Sequence, residues 1–166
     1  IAEGLVGTGA KVVIVDNGAS ISGEPEDAGI AAKAASEIGA GTIGIAGDVS
    51  TPKAAKDAVA LAVDKFGGVD IVINNAAILR DAFIFKGKPE DWDQVIATNL
   101  SGAFYLLNAA TLVMREQAKA GRGDGKWGRI VNIVSTVGFY GNFGQSSYAS
   151  AKGGLLGLTR VAALDL

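Results

Sequence analysis

A doubly wound α/β fold, one parallel sheet with helices on both faces, is predicted by three observations. Short runs rich in β-branched residues alternate with longer Ala-rich segments. The short runs KVVIVD (11–16), TIGIAGD (42–48), VDIVIN (69–74) and GRIVNIVS (128–135) are dominated by apolar residues without strict polar alternation, as strands covered on both faces are. The Ala-rich segments carry helical periodicity and helix-start signals. Alternation of this kind gives parallel strands joined by crossover helices.

Taken in order, residues 1–9 read as a helix feeding the strand 11–16. Gly4, Gly7 and Gly9 form G-x-x-G-x-G, close to a dinucleotide fingerprint. That fingerprint follows a strand and opens a helix, whereas this one closes a helix before a strand, so Gly9 reads as a helix end. A helix is predicted over 25–39. Thr51-Pro52 opens the next, 51–66, with Thr as N-cap and Pro at the first helical position. Pro89 followed by Glu90, Asp91 and Asp93 opens a long helix over 89–118, with acids at its positive end. Residues 122–126, RGDGK, read as a flexible connection and not a phosphate loop, since Trp127 follows the lysine. A last helix runs from about Ser147 to the end. The expectation is one dinucleotide-binding domain over 1–166, lacking its first strand and its C-terminal edge, as a fragment incomplete at both ends.

Composition narrows the chemistry. With 49% hydrophobic and 19% charged residues, the 166-residue chain is globular and not disordered. A net charge of -2 and a pI near 5.1 give no footprint for nucleic acid or a membrane surface. The chain has neither Cys nor His, which removes thiolate chemistry, the usual general base and the commonest metal ligands. No metal site is expected, and proton transfer near neutral pH falls to Tyr, Lys, Asp or Glu. No unbroken apolar run reaches about 18 residues, and the start lacks a basic leader region. The expected location is the cytoplasm, with an organelle matrix as the alternative.

Several residues are candidates for a site. Tyr148 and Lys152 fall one turn apart on one helical face, with Ala149, Ser150, Ala151, Gly153 and Gly154 around them. Asp16 closes the first predicted strand, where an acid accepts hydrogen bonds from adenosine ribose hydroxyls or simply makes a turn with Asn17-Gly18. Asp48-Val49 and Asn74-Asn75-Ala76-Ala77 end the next two strands, at the edge where such sheets bind ligands. Each of these is also readable as a turn. Asn99 is a poor mid-helix residue, so it marks either a local kink that holds water or a solvent-facing position. Ser135 ends the fourth predicted strand.

In this order, with NNAA at 74–77 where NNAG is usual, the motifs resemble the short-chain dehydrogenase/reductase family over essentially the whole chain. The family's N-terminal glycine loop and its C-terminal region have no counterpart here. The resemblance implies that Tyr148 is the general acid-base. A free phenol has a pKa of about 10, and an ammonium one turn away favours the phenolate. It further implies that Lys152 holds the nicotinamide ribose, that Ser135 donates to the substrate oxygen, and that Asn99 positions a water leading from Lys152 to solvent. Asp48, Val49, Asn75, Ala76 and Ala77 would line the cofactor, with Asp16 marking NAD(H) over NADP(H). Gln145 would touch substrate, with Phe139, Tyr140 and Phe143 beside it. The segments NNAAILRDAFIFKGKPEDWDQV and GFYGNFGQSSYASAKGGLLGL resemble the hydroxyacyl-CoA dehydrogenase domain of peroxisomal multifunctional enzymes, and also 3-oxoacyl-carrier-protein reductases. The substrate this implies is a 3-hydroxyacyl or 3-oxoacyl thioester. A steroid or another secondary alcohol, and a non-catalytic dinucleotide-binding scaffold, are the alternatives. The small residues around Lys152 let a neighbouring helix approach; the resemblance implies that this helix belongs to another subunit of a homo-oligomer, tetramer or dimer, and the alternative is close packing within the chain.

Overall fold

The computed structural model describes residues 1–125 and 128–166, leaving Lys126 and Trp127 of the predicted 122–126 connection and its flank outside. The elements run α1 (Ala2–Gly7), β1 (Val12–Asp16), α2 (Ile30–Ile38), β2 (Thr42–Ala46), α3 (Pro52–Phe66), β3 (Ile71–Asn74), α4 (Pro89–Ile96), a π turn (Ala97–Ser101), α5 (Gly102–Lys119), β4 (Arg129–Asn132), α6 (Val137–Tyr140) and α7 (Ser146–Asp165). The alternation and the parallel pairing are those of a Rossmann-type fold.

The strands form two parallel pairs: β1 with β2, Val12 opposite Thr42, and β3 with β4, Ile71 opposite Arg129. Among the described residues no ladder joins β1 to β3. In the doubly wound order 3-2-1-4-5-6 the first strand lies between the second and the fourth.

Local chemistry explains most boundaries. α1 ends where the amide N–H groups of Gly9 and Ala10 donate to Val6 and Leu5, with Gly9 at φ 91°, so the Gly4-Gly7-Gly9 run is a helix end. Thr51 caps α3 by accepting from the Ala54 N–H at 3.3 Å. Several predicted spans are shorter than expected: the strand predicted over 42–48 stops at Ala46, the strand predicted from 11 starts at Val12, and three others have a clear cause. The helix predicted from 25 starts at Ile30, because the N–H groups of Glu26 and Asp27 both donate to the Gly18 carbonyl. The strand predicted over 128–135 stops at Asn132, because its partner β3 stops at Asn74. The strand predicted from 69 starts at Ile71, because the backbone of Val69 is taken by a side chain: Gln117 accepts from its N–H and donates to its C=O, both at 2.7 Å.

The main core lies between α3, β3 and α5, where Val59, Val69, Val72, Leu107, Ala110 and Met114 pack together. A smaller cluster of Ile78, Val95 and Ala151 joins the β3 tip, α4 and α7. By length and composition, the continuous helical stretch Pro89–Lys119 is apolar enough to cross a membrane. Within it Leu107, Ala110 and Met114 face the core, while Phe104 and Leu112 are exposed.

Candidate functional site

The carboxyl ends of all four described strands carry the predicted site residues. Asp16 is the last residue of β1; its Oδ1 accepts from the Gly18 N–H at 2.7 Å. Asp48 lies just past β2, with Oδ1 accepting from the Ser50 N–H at 2.9 Å. Both therefore make the turn that was the alternative at these positions. Each also keeps a second carboxylate oxygen with no partner among the described residues, and both side chains are exposed. Val49 is half-buried, and its carbonyl lies so close to Gly102 that a Cβ there would sit 2.7 Å from it. Past β3, Asn75 and Ala76 are exposed and Ala77 is half-buried. Asn74 is not in a turn: it ends β3, and its amide donates to Asn132 Oδ1 at 2.8 Å, while Asn132 donates to Thr159 of α7 at 2.8 Å. Sequence reading missed this ladder, because the register that sets Asn132 opposite Asn74 is decided by the fold.

Asn99 sits in the π turn that separates α4 from α5, with only 2% of its surface exposed. The expected irregularity in the helix is present; the alternative of a solvent-facing side chain is overturned. Its Oδ1 accepts from the Ile78 N–H at 2.8 Å and its Nδ2 donates to the Ile78 C=O at 2.9 Å. A π turn and a buried amide at one place is a common mark of a functional site.

Lys152 is 2% exposed, and its Nζ donates to the Ile133 carbonyl at 2.6 Å, one residue beyond β4. Burial pushes its pKa below the ordinary lysine value. The Nζ lies 5.7 Å from the centre of the Tyr148 ring, and Tyr148, half-buried, packs on the Ile78–Val95–Ala151 cluster. An ammonium has three donors. Among the described residues Ile133 is its one hydrogen-bond acceptor.

Ser135 lies beyond β4 and not within it, two residues after Ile133. Its Oγ accepts from the Val137 N–H at 3.3 Å, where α6 begins. Gly138 then presses on α7: a Cβ at that position would come within 2.8 Å of Lys152 C and Gly153 N. Through Ile133 and Gly138, the segment carrying Ser135 lies against α7 at Lys152 and Gly153, one turn beyond Tyr148.

Two expected roles meet partners within the chain. The small residues of α7 pack mostly within the chain. Ala151 is wholly buried, Gly153 meets Gly138, and Gly154 meets Leu100 of the π turn, where a Cβ would lie 2.8 Å from Leu100 Cδ2. They therefore supply no argument for a contact between subunits. Gln145 does not present a free amide to a substrate, since Nε2 donates to Asp81 at 2.8 Å and Oε1 accepts from Asn142 at 3.1 Å. A cavity of about 250 Å³ opens beside it, lined by Arg80, Ile84, Lys88, Trp92, Ser146 and Ser147. Phe139, Tyr140 and Phe143 are all exposed nearby in sequence, the last by 90%.

The donor set fits a nicotinamide dinucleotide. Strand-end carboxylates face solvent where ribose hydroxyls would bind, Ala76 keeps the backbone approachable, and a buried ammonium retains spare donors. Fold and site thus define a Rossmann-type α/β protein in which Lys152, one turn from Tyr148, is bonded just past the β4 tip. A sequence model of the short chain dehydrogenase family matches residues 1–166, and the chain belongs to that family. It is 41% identical over 165 residues to the hydroxyacyl-CoA dehydrogenase ChsB1 of Mycobacterium tuberculosis, covering 99% of this chain and 51% of that protein. It is 40% identical over 157 residues to peroxisomal multifunctional enzyme A of Dictyostelium discoideum, covering 95% of this chain and 34% of that one. A crystal structure of a short chain dehydrogenase from Mycobacterium avium superposes with a TM-score of 0.85 at 36% identity, covering 98% of this chain and 56% of that one. The chain thus spans about half the length of the first of these relatives and a third of the second.

Proposed function

We propose that residues 1–166 are one dinucleotide-binding unit of an NAD(H)-dependent oxidoreductase that interconverts a 3-hydroxyacyl and a 3-oxoacyl thioester. The reading is carried by one observation: a buried lysine, one turn from Tyr148, is bonded to the β4 tip that leads to Ser135. The hydroxyacyl-CoA dehydrogenase and multifunctional-enzyme relatives support the substrate class. The nicotinamide, when bound, supplies the hydride donor or acceptor.

The chain's own residues do the rest. Tyr148 passes its phenolic proton to the ketone oxygen, or takes the alcohol proton in the reverse direction. Lys152, held by Ile133, turns its remaining N–H groups toward the ribose and favours the phenolate by its charge. Ser135 donates to the substrate oxygen and stabilises the negative charge that develops there. Asn99 positions the water that leads from Lys152 to solvent, while its side chain holds the chain past β3 through Ile78. Asp48, Val49, Asn75, Ala76 and Ala77 border the dinucleotide. Asp16 accepts from the adenosine ribose and repels a 2′-phosphate, which gives the preference for NAD(H) over NADP(H).

The full-length protein is assayed with NAD⁺ and NADP⁺ against 3-hydroxyacyl-CoAs, sterols and simple alcohols. Tyr148→Phe abolishes turnover and leaves dinucleotide binding intact; normal turnover by that variant would refute the mechanism. A kinetic preference for NADP(H) would refute the role of Asp16. We place the protein in the cytoplasm or an organelle matrix, bound to neither nucleic acid nor membrane, and read it as a homo-oligomer, dimer or tetramer. Exposed Phe104 and Leu112 on α5 support self-association, which light scattering measures directly.

A further inference from the structure

Five residues past β3, Ile78–Ala82, are each bonded to a residue elsewhere in the chain. Ile78 is held by Asn99. The Leu79 N–H donates to the Ile21 carbonyl at 2.7 Å. Arg80 Nη2 lies 2.9 Å from Glu24 Oε1 and donates to Gln94 Oε1 at 3.1 Å. Asp81 Oδ2 accepts from Gln145 Nε2 at 2.8 Å. The Ala82 N–H donates to the Gly144 carbonyl at 2.8 Å, and Ala82 forms a parallel bridge with Gln145.

The last two ties bear on the catalytic helix. Gln145 immediately precedes α7, whose start has no side-chain cap, and its carbonyl accepts from the Ala149 N–H at 2.8 Å. The loop before it contains Gly141 at φ 74° and Gly144 at φ 72°, so its backbone has little stiffness of its own. A carboxylate only accepts, so Asp81 forces the amide N–H of Gln145 toward itself and leaves Oε1 to receive Asn142. The side chain of Gln145 is thereby locked in one orientation by two partners, at the residue from which α7 starts.

The geometry points to Asp81 as a positioning residue: acting through Gln145, it fixes the first turn of α7 and so the direction in which Tyr148 presents its hydroxyl. This rests on the reading of Tyr148 as the acid-base. Asp81 touches no reacting atom; it acts only through the helix start.

The test uses the full-length enzyme with NAD⁺ and a 3-hydroxyacyl-CoA. Asp81→Ala lowers kcat about ten- to a hundredfold, the scale of a small misplacement of a reacting group, while the KM for both substrates stays near the wild-type value. Gln145→Ala does the same, and the double variant is no worse than either single one, because both cut one connection. Asp81→Asn, whose side-chain oxygen still accepts from Gln145, recovers most of the lost kcat. A general loss of fold would not be rescued in this way. Multiplicative losses in the double variant, an Asp81→Ala effect on KM alone, or wild-type kcat in Asp81→Ala would each overturn the proposal. If Tyr148→Phe is inactive while Asp81→Ala is normal, only the positioning role fails. If Tyr148→Phe turns over, the acid-base assignment fails and takes the positioning role with it.

Discussion

Asn99→Ala is the sharpest probe of how the site is held. The wild-type side chain satisfies both the N–H and the C=O of Ile78, a residue only 9% exposed. Alanine leaves both groups buried without partners. At about 1–3 kcal/mol for each stranded group, the loss is about 2–6 kcal/mol. In a chain of this size each kcal/mol lowers the midpoint by about 2–4 °C, so the expected fall is about 5–20 °C. Asn99→Asp is expected to do no better, since it keeps the acceptor for the Ile78 N–H but turns a second lone pair on the Ile78 carbonyl. The comparator is Gln117→Ala. Gln117 makes the same two bonds to Val69, at the opposite end of the segment containing β3 and from the same long helical stretch, in a less buried setting. Circular dichroism melts and urea titrations measure stability, and kcat at a temperature where all variants are folded measures the site. Both alanine variants lose stability, and only Asn99→Ala loses kcat. A wild-type melt for Asn99→Ala, or an equal loss of kcat in Gln117→Ala, would refute the reasoning.

The remaining predictions follow from Lys152, Gly138 and Asp16. Because burial lowers the pKa of Lys152, the unfolded chain binds its proton more tightly than the folded one. Stability therefore rises with pH between the lowered folded value and about 10.4, the unfolded value. Urea titrations across that range show the rise in the wild type, and Lys152→Met lacks that increment. Gly138→Ala drives a methyl group into the backbone of Lys152 and Gly153, so α6 and α7 must part. The expected result is a loss of about 1–3 kcal/mol by denaturant titration and a kcat that falls further than the melt alone explains. Asp16→Ser removes the carboxylate from the β1 tip, and the ratio of kcat/KM for NAD⁺ over NADP⁺ falls.

The elements were legible where the signal is local. Thr51-Pro52 announces α3 because a cap and a fixed φ act within one turn of chain. The Gly9 helix end was legible for the same reason. The overlong predictions at 25 and 69 failed because distant partners took the backbone groups: Gly18 for residues 26 and 27, Gln117 for Val69. Asn99 was legible as an anomaly in its helix, but its partner Ile78 contributes only backbone and leaves no mark in the residue string.

From its sequence alone, this protein was set as a parallel α/β chain of the short-chain dehydrogenase kind, with Tyr148 and Lys152 on one helical stripe and polar residues at each strand end. Those features repeat at fixed spacings, and spacing is what a sequence records. Only the tertiary structure decided that Lys152 is buried on Ile133, that the small residues of α7 serve Gly138 and Leu100 within the chain, and that Gln145 answers to Asp81. Each of these contacts joins residues far apart along the chain, several through backbone carbonyls or bare glycine, whose meeting depends on how helices and strands pack and not on what any residue prefers alone.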